Sequence, residues 1–385
     1  MGILEELKKK IEKQAEGVHT SILSVSDIAS VRDWVKTPAL DLNRILSGSL
    51  YRGIPSKNLV AIVGPEHTFK SSFMVLCMAA AQKSGFTPII IDAEGGNTKE
   101  FCERWGLDTS NTLYNYTPWI HEIKTILAQI RDSKGEKFII GIDSVGAIDR
   151  YKSFEDALGG EPKADQGLLQ KEIRSTLKLL LNICVAQNSI GIACGHLYGS
   201  PSAVPMPDQI GGGKAMKLLP SIIVNLKKTP LREGSAKNSK IIGNVITATT
   251  LKNRVYPPFQ NATISIDYRT GIDKYAGLID LCIEAGFVEQ KGSWYSYGDE
   301  KLGQGKINAS IGLGNISGVL KDLDKWLETT GYSTINENVK QAEELLIIEE
   351  EEEKIIEEDI IEEDIIEKKE TILEKKKRLS GLLKK

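Results

Sequence analysis

Apolar positions along this chain follow several distinct rhythms. Residues 3–16 set Leu and Ile among Lys and Glu at helical spacing, which predicts a short charged amphipathic helix. A weakly patterned, linker-like stretch continues to about Thr37. Beyond Ala39 the pattern changes to short, unbroken apolar runs separated by helical stretches. The runs Leu59–Val63, Thr87–Asp92, Lys137–Asp143 and Ser189–Gly195 read as strands, and the helices between them include 72–82, 117–131 and a long one over 166–187. Strands that are apolar throughout and alternate with helices belong in a buried parallel sheet. Three more runs, 221–228, 245–251 and 262–267, follow closely with turn residues between them, and are expected as antiparallel strands added at one edge. Residues 272–332 fit a compact α+β piece. After them, Ile-Ile-Glu-Glu-Asp repeats step by five residues, which drifts around a helix and makes no continuous stripe. The expectation there is a solvated, partly helical charged tail.

At 385 residues the chain can bury a full α/β core and carry smaller modules. No apolar run is long enough to cross a bilayer, and the N-terminus lacks the apolar stretch of a secretory signal. Glu6 stands where a myristoylation sequence needs Ser or Thr. Five scattered cysteines, mostly in apolar runs and without metal spacing, read as buried free thiols in a reducing cytoplasm. The net charge of −3 hides a division. Glu349 to Asp364 holds eleven acids against one lysine, and Ile365 to Lys385 holds eight bases against three acids. The body before the tail is close to neutral, so the overall acidity does not exclude an anionic partner.

One run carries distinctive chemistry. The strand Leu59–Val63 enters a loop of Gly64, Pro65, Glu66, His67, Thr68 and Phe69, which closes on Lys70, Ser71 and Ser72 at the start of a helix. This is the layout of a phosphate-binding loop. Backbone N–H groups and the helix N-terminus surround the phosphates, Lys70 reaches the β/γ oxygens and the Ser71 hydroxyl goes to Mg²⁺. Position 69 departs from G-x-x-x-x-G-K-[ST]: it holds Phe, which resists the backbone angles that glycine allows. By itself the segment is compatible with a phosphate site or with an ordinary strand-to-helix turn. Two strand ends bear on the choice. Asp143 ends an apolar strand where an acid next to a phosphate loop holds Mg²⁺, and Ile89-Ile-Ile-Asp92-Ala-Glu94 brings further carboxylates to the same edge. Glu94 is then the candidate for orienting and deprotonating an attacking water.

Taken in order, Gly-Pro-Glu-His-Thr-Phe-Lys-Ser, Ile-Asp-Ala-Glu, Ile-Asp-Ser-Val, Lys252-Asn-Arg254, Pro258-Phe259 and Trp294-Tyr-Ser-Tyr297 with Glu300-Lys301-Leu-Gly-Gln304-Gly-Lys306 resemble the RecA recombinase family over residues 1 to 330. Phe69 before Lys70 and the run Gly211, Gly212, Gly213 resemble its bacteriophage UvsX-like branch. The resemblance implies a RecA-type P-loop ATPase core at 38–270, preceded by an N-terminal helix and subunit-contact linker at 1–37. A small α+β C-terminal domain at 271–332 and a charged tail at 333–385 complete the layout. It implies ATP and Mg²⁺ as cofactors, with ADP and phosphate as products and AMP as a further one in some phage members. The implied partners are single-stranded DNA, duplex DNA, further copies of the chain in a helical filament, a single-strand-binding protein and a loader. No membrane is involved, and the location is the cytoplasm, that of the host for a phage protein.

Carried over residue by residue, Phe101 falls where the family stacks an aromatic ring on adenine, and Thr98 stands where an acid is more usual. His196 falls at the γ-phosphate sensor position, where bacterial members carry Gln; imidazole adds a titratable charge there. Lys252 and Arg254 match the pair that reaches ATP on the neighbouring subunit, which makes hydrolysis depend on assembly. Two glycine-containing loops, Phe154 to Gln166 with Lys163 and Leu197 to Gly213 with Tyr198 and Met206, would face the filament axis. Between them Lys171, Arg174 and Lys178 recur on one helical face, a basic stripe suited to a DNA backbone, with Tyr198 or Met206 wedged between bases. Lys301 and Lys306 would gather duplex DNA, and the acidic tail resembles autoinhibitory tails of the family. The reading is an ATP-dependent recombinase that pairs homologous DNA and exchanges strands. The alternative is a RecA-fold motor or regulator without strand exchange, against which the 294–306 block argues. A non-hydrolysing DNA-coating protein is disfavoured by Glu94 and Asp143.

Overall fold

The structure, a computed structural model, describes residues 2–15, 20–133, 135–159, 167–198, 209–233, 239–316 and 318–330. In chain order it runs α1 (Ile3–Gln14), β1 (Trp34–Val35), α2 (Leu40–Ser47), β2 (Ile54–Pro55), β3 (Asn58–Gly64), α3 (Lys70–Lys83), β4 (Thr87–Asp92) and α4 (Lys99–Arg104). Next come β5 (Leu113–Tyr116), α5 (Ile120–Asp132), β6 (Phe138–Asp143), α6 (Tyr151–Leu158), α7 (Leu168–Ala186), β7 (Ile190–Tyr198), β8 (Gln209–Ile210) and α8 (Lys214–Leu218). The remainder is β9 (Ile222–Arg232), β10 (Ile241–Asn253), β11 (Asn261–Asp267), β12 (Gly271–Asp273), α9 (Leu278–Glu284), β13 (Glu289–Lys291), β14 (Trp294–Tyr297), β15 (Glu300–Gln304) and α10 (Lys306–Asn315).

Among the described residues a large sheet takes the order β12-β11-β10-β9-β3-β7-β6-β4-β5, with β8 paired to β7 off this path. From β9 to β5 neighbouring strands are parallel, and β10, β11 and β12 are antiparallel additions. The alternation of side chains along a strand builds the two layers of this α/β fold. Val60 and Ile62 of β3 join Phe73, Met74 and Met78 of α3 and Leu42 and Ile45 of α2 in one core. Leu59, Ala61 and Val63 point the other way, into a core with Ile123 and Leu127 of α5 and Ile173, Leu177 and Leu180 of α7. Helices on both faces bury the parallel strands β3, β4, β6 and β7, while the edge strand β5 stays largely exposed. The carboxyl ends of the strands are left free to carry a site.

Four expectations are corrected. The run 221–228 is not a purely antiparallel edge strand: its apolar start, Ile222–Asn225, pairs parallel with β3, and the strand is antiparallel only to β10. The segment after Phe154 does not begin as a loop, because 151–158 is helical. The helix expected from Thr117 begins at Ile120, after a short strand β5 that its mixed pattern concealed. The linker before Thr37 contains β1, antiparallel to β2.

The chain divides into two compact units, Met1–Lys321 and Asp322–Lys385. Within the first, β13, β14 and β15 form a separate antiparallel meander alongside α9 and α10. The described part of the second unit, residues 322–330, is helical. No described helix is long and apolar enough to cross a membrane.

Candidate active site

β3 delivers Gly64 to the carboxyl edge of the sheet, in register with His196 of β7. A Cβ on Gly64 would fall 2.6 Å from Thr68 Oγ1 and 2.7 Å from the Leu226 carbonyl oxygen, so the loop turns here only because the side chain is absent. Thr68 Oγ1 and Lys70 Nζ both donate to the Pro65 carbonyl at 2.7 Å, curling the loop around the ammonium. His67 and Phe69 adopt left-handed backbone, with φ of 57° and 82°. Such residues cost of order 1–3 kcal/mol each and persist where the surroundings over-determine them. At Phe69 the surroundings include Trp105, whose ring meets the phenyl edge to face with centroids 5.0 Å apart and planes at 86°. Helix α3 starts at Lys70, so the N–H groups of its first turn face the loop.

The loop borders a cleft of about 990 Å³ that also takes in Glu94, Phe101, Trp105, Asp143 and His196, with the Asp267–Gly271 turn as part of its lining. Burial lowers the pKa of Lys70, an effect opposed by the nearby carboxylates of Asp143, Glu94 and Glu66. Burial raises that of Asp143, against hydrogen bonds donated by Ser71 and Asn97. The Asn97 bond, Nδ2 to Asp143 Oδ2, is 3.0 Å long. Asn97 Oδ1 is buried without a hydrogen-bond partner among the described residues. Glu94 Oε1 accepts from Ser144 Oγ and lies 3.3 Å from His196 Nε2. Beneath it, fully buried Asp92 accepts from the N–H groups of Glu94, Gly95 and Asn97 and from the Tyr114 hydroxyl, at 2.7 to 3.0 Å. Asp92 therefore shapes the turn that presents Glu94 and Asn97. The arrangement gathers a cation on a loop, a hydroxyl beside a carboxylate, and a second carboxylate positioned by a hydroxyl and an imidazole.

Not every expected site residue lies here. Thr98 does not line the cleft; its hydroxyl accepts from Phe101 N at 3.3 Å and caps α4. Lys252 and Arg254 do not line it either. Lys252 Nζ donates to the carbonyls of Lys217 and Leu218, at 3.2 and 2.9 Å, at the end of α8. Arg254 is exposed, with its N–H bonded to the Ser221 carbonyl. Lys171, Arg174 and Lys178 form an exposed face of α7 opposite buried Ile173, Leu177 and Leu180. Gly211 and Gly212 are buried: Gly211 N donates to the His196 carbonyl at 2.7 Å, and a Cβ on Gly212 would fall 2.6 Å from Val145 Cγ1. Gly213 is half-buried with φ of 73°. Lys163, Met206 and the Tyr198 side chain lie outside the described residues. Sequence reasoning missed Asn97, Trp105 and the Asp267–Gly271 turn. Only Asn97 had a local signal, standing three residues after Glu94 in a turn capped by Asp92.

The donor set fits a magnesium nucleotide. Hard oxygen ligands from Ser71 and Asp143 suit Mg²⁺, which keeps several waters and leans on substrate phosphates. Among the described residues no group of three or more His, Cys, Asp or Glu could hold a metal ion. The RecA N-terminal domain family matches residues 3–273 and the RecA C-terminal domain family matches residues 276–327. The chain belongs to the RecA family. It is similar to Protein RecA of Mycoplasma mycoides, 32% identical over 314 residues, covering 79% of this chain and 86% of that protein. Protein RecA of Methylococcus capsulatus is 30% identical over 312 residues, with 79% and 85% covered, and that of Rickettsia africae is 29% identical over 327 residues, with 82% and 92% covered. Every residue placed in the cleft falls inside the RecA N-terminal match.

Proposed function

We propose that this RecA-family chain is a DNA-dependent ATPase acting as a recombinase. It would bind ATP in the cleft, assemble as a filament on single-stranded DNA, pair homologous duplex and exchange strands in recombination and repair. The observation that carries the reading is the convergence of Lys70, Ser71, Glu94, Asp143 and His196 at one sheet edge. Lys70 places its charge on the β/γ phosphates, and Phe101 covers the adenine side. Ser71 and Asp143 would hold Mg²⁺, which supplies charge neutralisation on the phosphate oxygens when bound. Glu94, fixed by Ser144 and His196, orients water and accepts its proton. His196 sits between that carboxylate and the returning segment at Gly211, and so links nucleotide state to the DNA loops.

Lys252 and Arg254, outside their own subunit's cleft, are assigned to the nucleotide of the neighbour. Lys171, Arg174 and Lys178, with the loops carrying Lys163, Tyr198, Met206 and Gly211–Gly213, are assigned to DNA. Phe69 and the triple glycine support the bacteriophage UvsX-like branch. Residues 1–37 are assigned to subunit contact, 38–270 to the ATPase core, 271–332 to the C-terminal domain and 333–385 to a regulatory tail. The test is phosphate release from ATP with and without single-stranded DNA, together with electron microscopy of filaments and a joint-molecule assay with homologous duplex. DNA-stimulated hydrolysis, filaments and joint molecules are expected. Hydrolysis and filaments without joint molecules would favour a motor or regulator instead.

A further inference from the structure

We propose that Phe69 and Trp105 form an aromatic latch that sets the phosphate loop and ties it to α4, the helix that presents Phe101 to the same cleft. The inference rests on reading that loop as the triphosphate site. Phe69 occupies the left-handed position that closes the loop, with φ of 82° and ψ of 12°, and no side-chain hydrogen bond caps α3 there. A phenylalanine keeps that conformation only when its ring is held. Trp105 provides the hold through the edge-to-face contact at 5.0 Å. Trp105 is the C-cap of α4, its backbone N–H donating to the Cys102 carbonyl at 3.1 Å. Its Nε1 is buried without an acceptor among the described residues, so packing keeps the ring in place.

Phe101 stands one helical turn before Trp105, at i and i+4, and both rings rest with Phe69 against the same core cluster. The base side and the phosphate side of the cleft are thus joined through two aromatic side chains. A glycine at position 69 reaches left-handed geometry unaided and needs no such latch. Trp105 is a positioning residue whose importance is created by Phe69.

A double-mutant cycle tests this with ATP at saturating single-stranded DNA. In the Phe69 background Trp105→Ala is expected to raise KM for ATP about tenfold, equivalent to about 1.4 kcal/mol, because the loop is no longer pre-set. In the Phe69→Gly background the same substitution is expected to change KM less than about twofold. Trp105→Phe keeps a ring at the contact and should hold KM near the native value, whereas Trp105→Leu, bulky but without a ring, should not. Thermal melts by circular dichroism confirm folding, and Trp105→Leu replaces Trp105→Ala if the latter does not fold. Equal effects of the Trp105 substitution in both backgrounds, or a Trp105→Phe variant as impaired as Trp105→Ala, would overturn the latch. Lys70→Ala separates the two readings: persistent hydrolysis in that variant removes the triphosphate site itself, whatever the cycle shows.

Discussion

Asp92 offers a sharp test because it is buried, contacts no part of the proposed substrate, and organises residues that do. In Asp92→Asn one carboxylate oxygen becomes an amide. With the carbonyl kept at Oδ1, the N–H groups of Glu94 and Gly95 retain an acceptor, though an uncharged one. The new amide then faces two donors, the Asn97 N–H and the Tyr114 hydroxyl. The hydroxyl can rotate to accept; the backbone N–H cannot. Leaving that N–H unsatisfied costs about 1–3 kcal/mol, and weakening the other bonds adds to it, for a total of about 3 kcal/mol. At roughly 2 °C per kcal/mol for a chain of this size, the melting temperature should fall by about 6 °C. Hydrolysis should fall by about tenfold or more, since Glu94 loses its fixed turn and Asn97 its hold on Asp143. Thermal unfolding and DNA-stimulated phosphate release measure the two effects. Tyr114→Phe is the control, removing one bond at a cost of about 1 kcal/mol with turnover kept. An Asp92→Asn protein with unchanged melting temperature and turnover would refute the reasoning.

Glu94→Gln should keep ATP binding and filament formation while slowing hydrolysis by about 10²-fold or more, read by nucleotide titration and phosphate release; lost affinity instead would make Glu94 a binding group. The paired substitutions Lys252→Ala and Arg254→Ala, mixed with Lys70→Ala subunits, should recover part of the hydrolysis at interfaces that join an intact loop to intact basic residues. Absence of recovery in verified mixed filaments would mean that those residues serve their own subunit. Truncation after Gly331 should speed duplex DNA binding and raise the salt concentration at which binding fails, because the acidic segment competes for basic surfaces. Deleting only 366–385 distinguishes a basic DNA-binding arm, whose loss weakens binding, from the acidic brake.

The layers of this fold were legible because burial on both faces leaves an unmistakable apolar run, as in Ile89–Ile91 or Ile139–Ile142. Neighbour identity was not. The run at 221–228 announced a strand, but its parallel pairing with β3 depends on a long-range connection that local periodicity does not contain. Its internal change, from buried Ile222, Ile223 and Val224 to exposed Lys227 and Lys228, was the readable hint that only the first half lies beneath a neighbour. The site divided in the same way. Lys70, Ser71, Glu94 and Asp143 stand on the loop or at strand ends, where residue type and spacing suggested their chemistry, whereas His196, inside β7, was singled out only by the family resemblance. Trp105 acts through the conformation of a residue far away in sequence, and Asp92 acts through backbone N–H groups, so neither role has a local signature. Phe69 was legible as a departure from the motif, while the geometry that accommodates it was not.

The position of Lys252 bears on how subunits would communicate under the proposed assignment. Its ammonium caps the last carbonyls of α8, and α8 begins immediately after the glycines that anchor the segment returning from β7. Were Lys252 also to serve the neighbour's nucleotide, as proposed above, it could not hold both sets of oxygens at once. Filament contact would then be a handover, in which arrival at the neighbour's phosphates would release the end of α8 at home. Occupancy of one subunit would be sensed by the DNA-facing segment of the next, and not the reverse, which gives the filament a direction of signalling set by a single side chain.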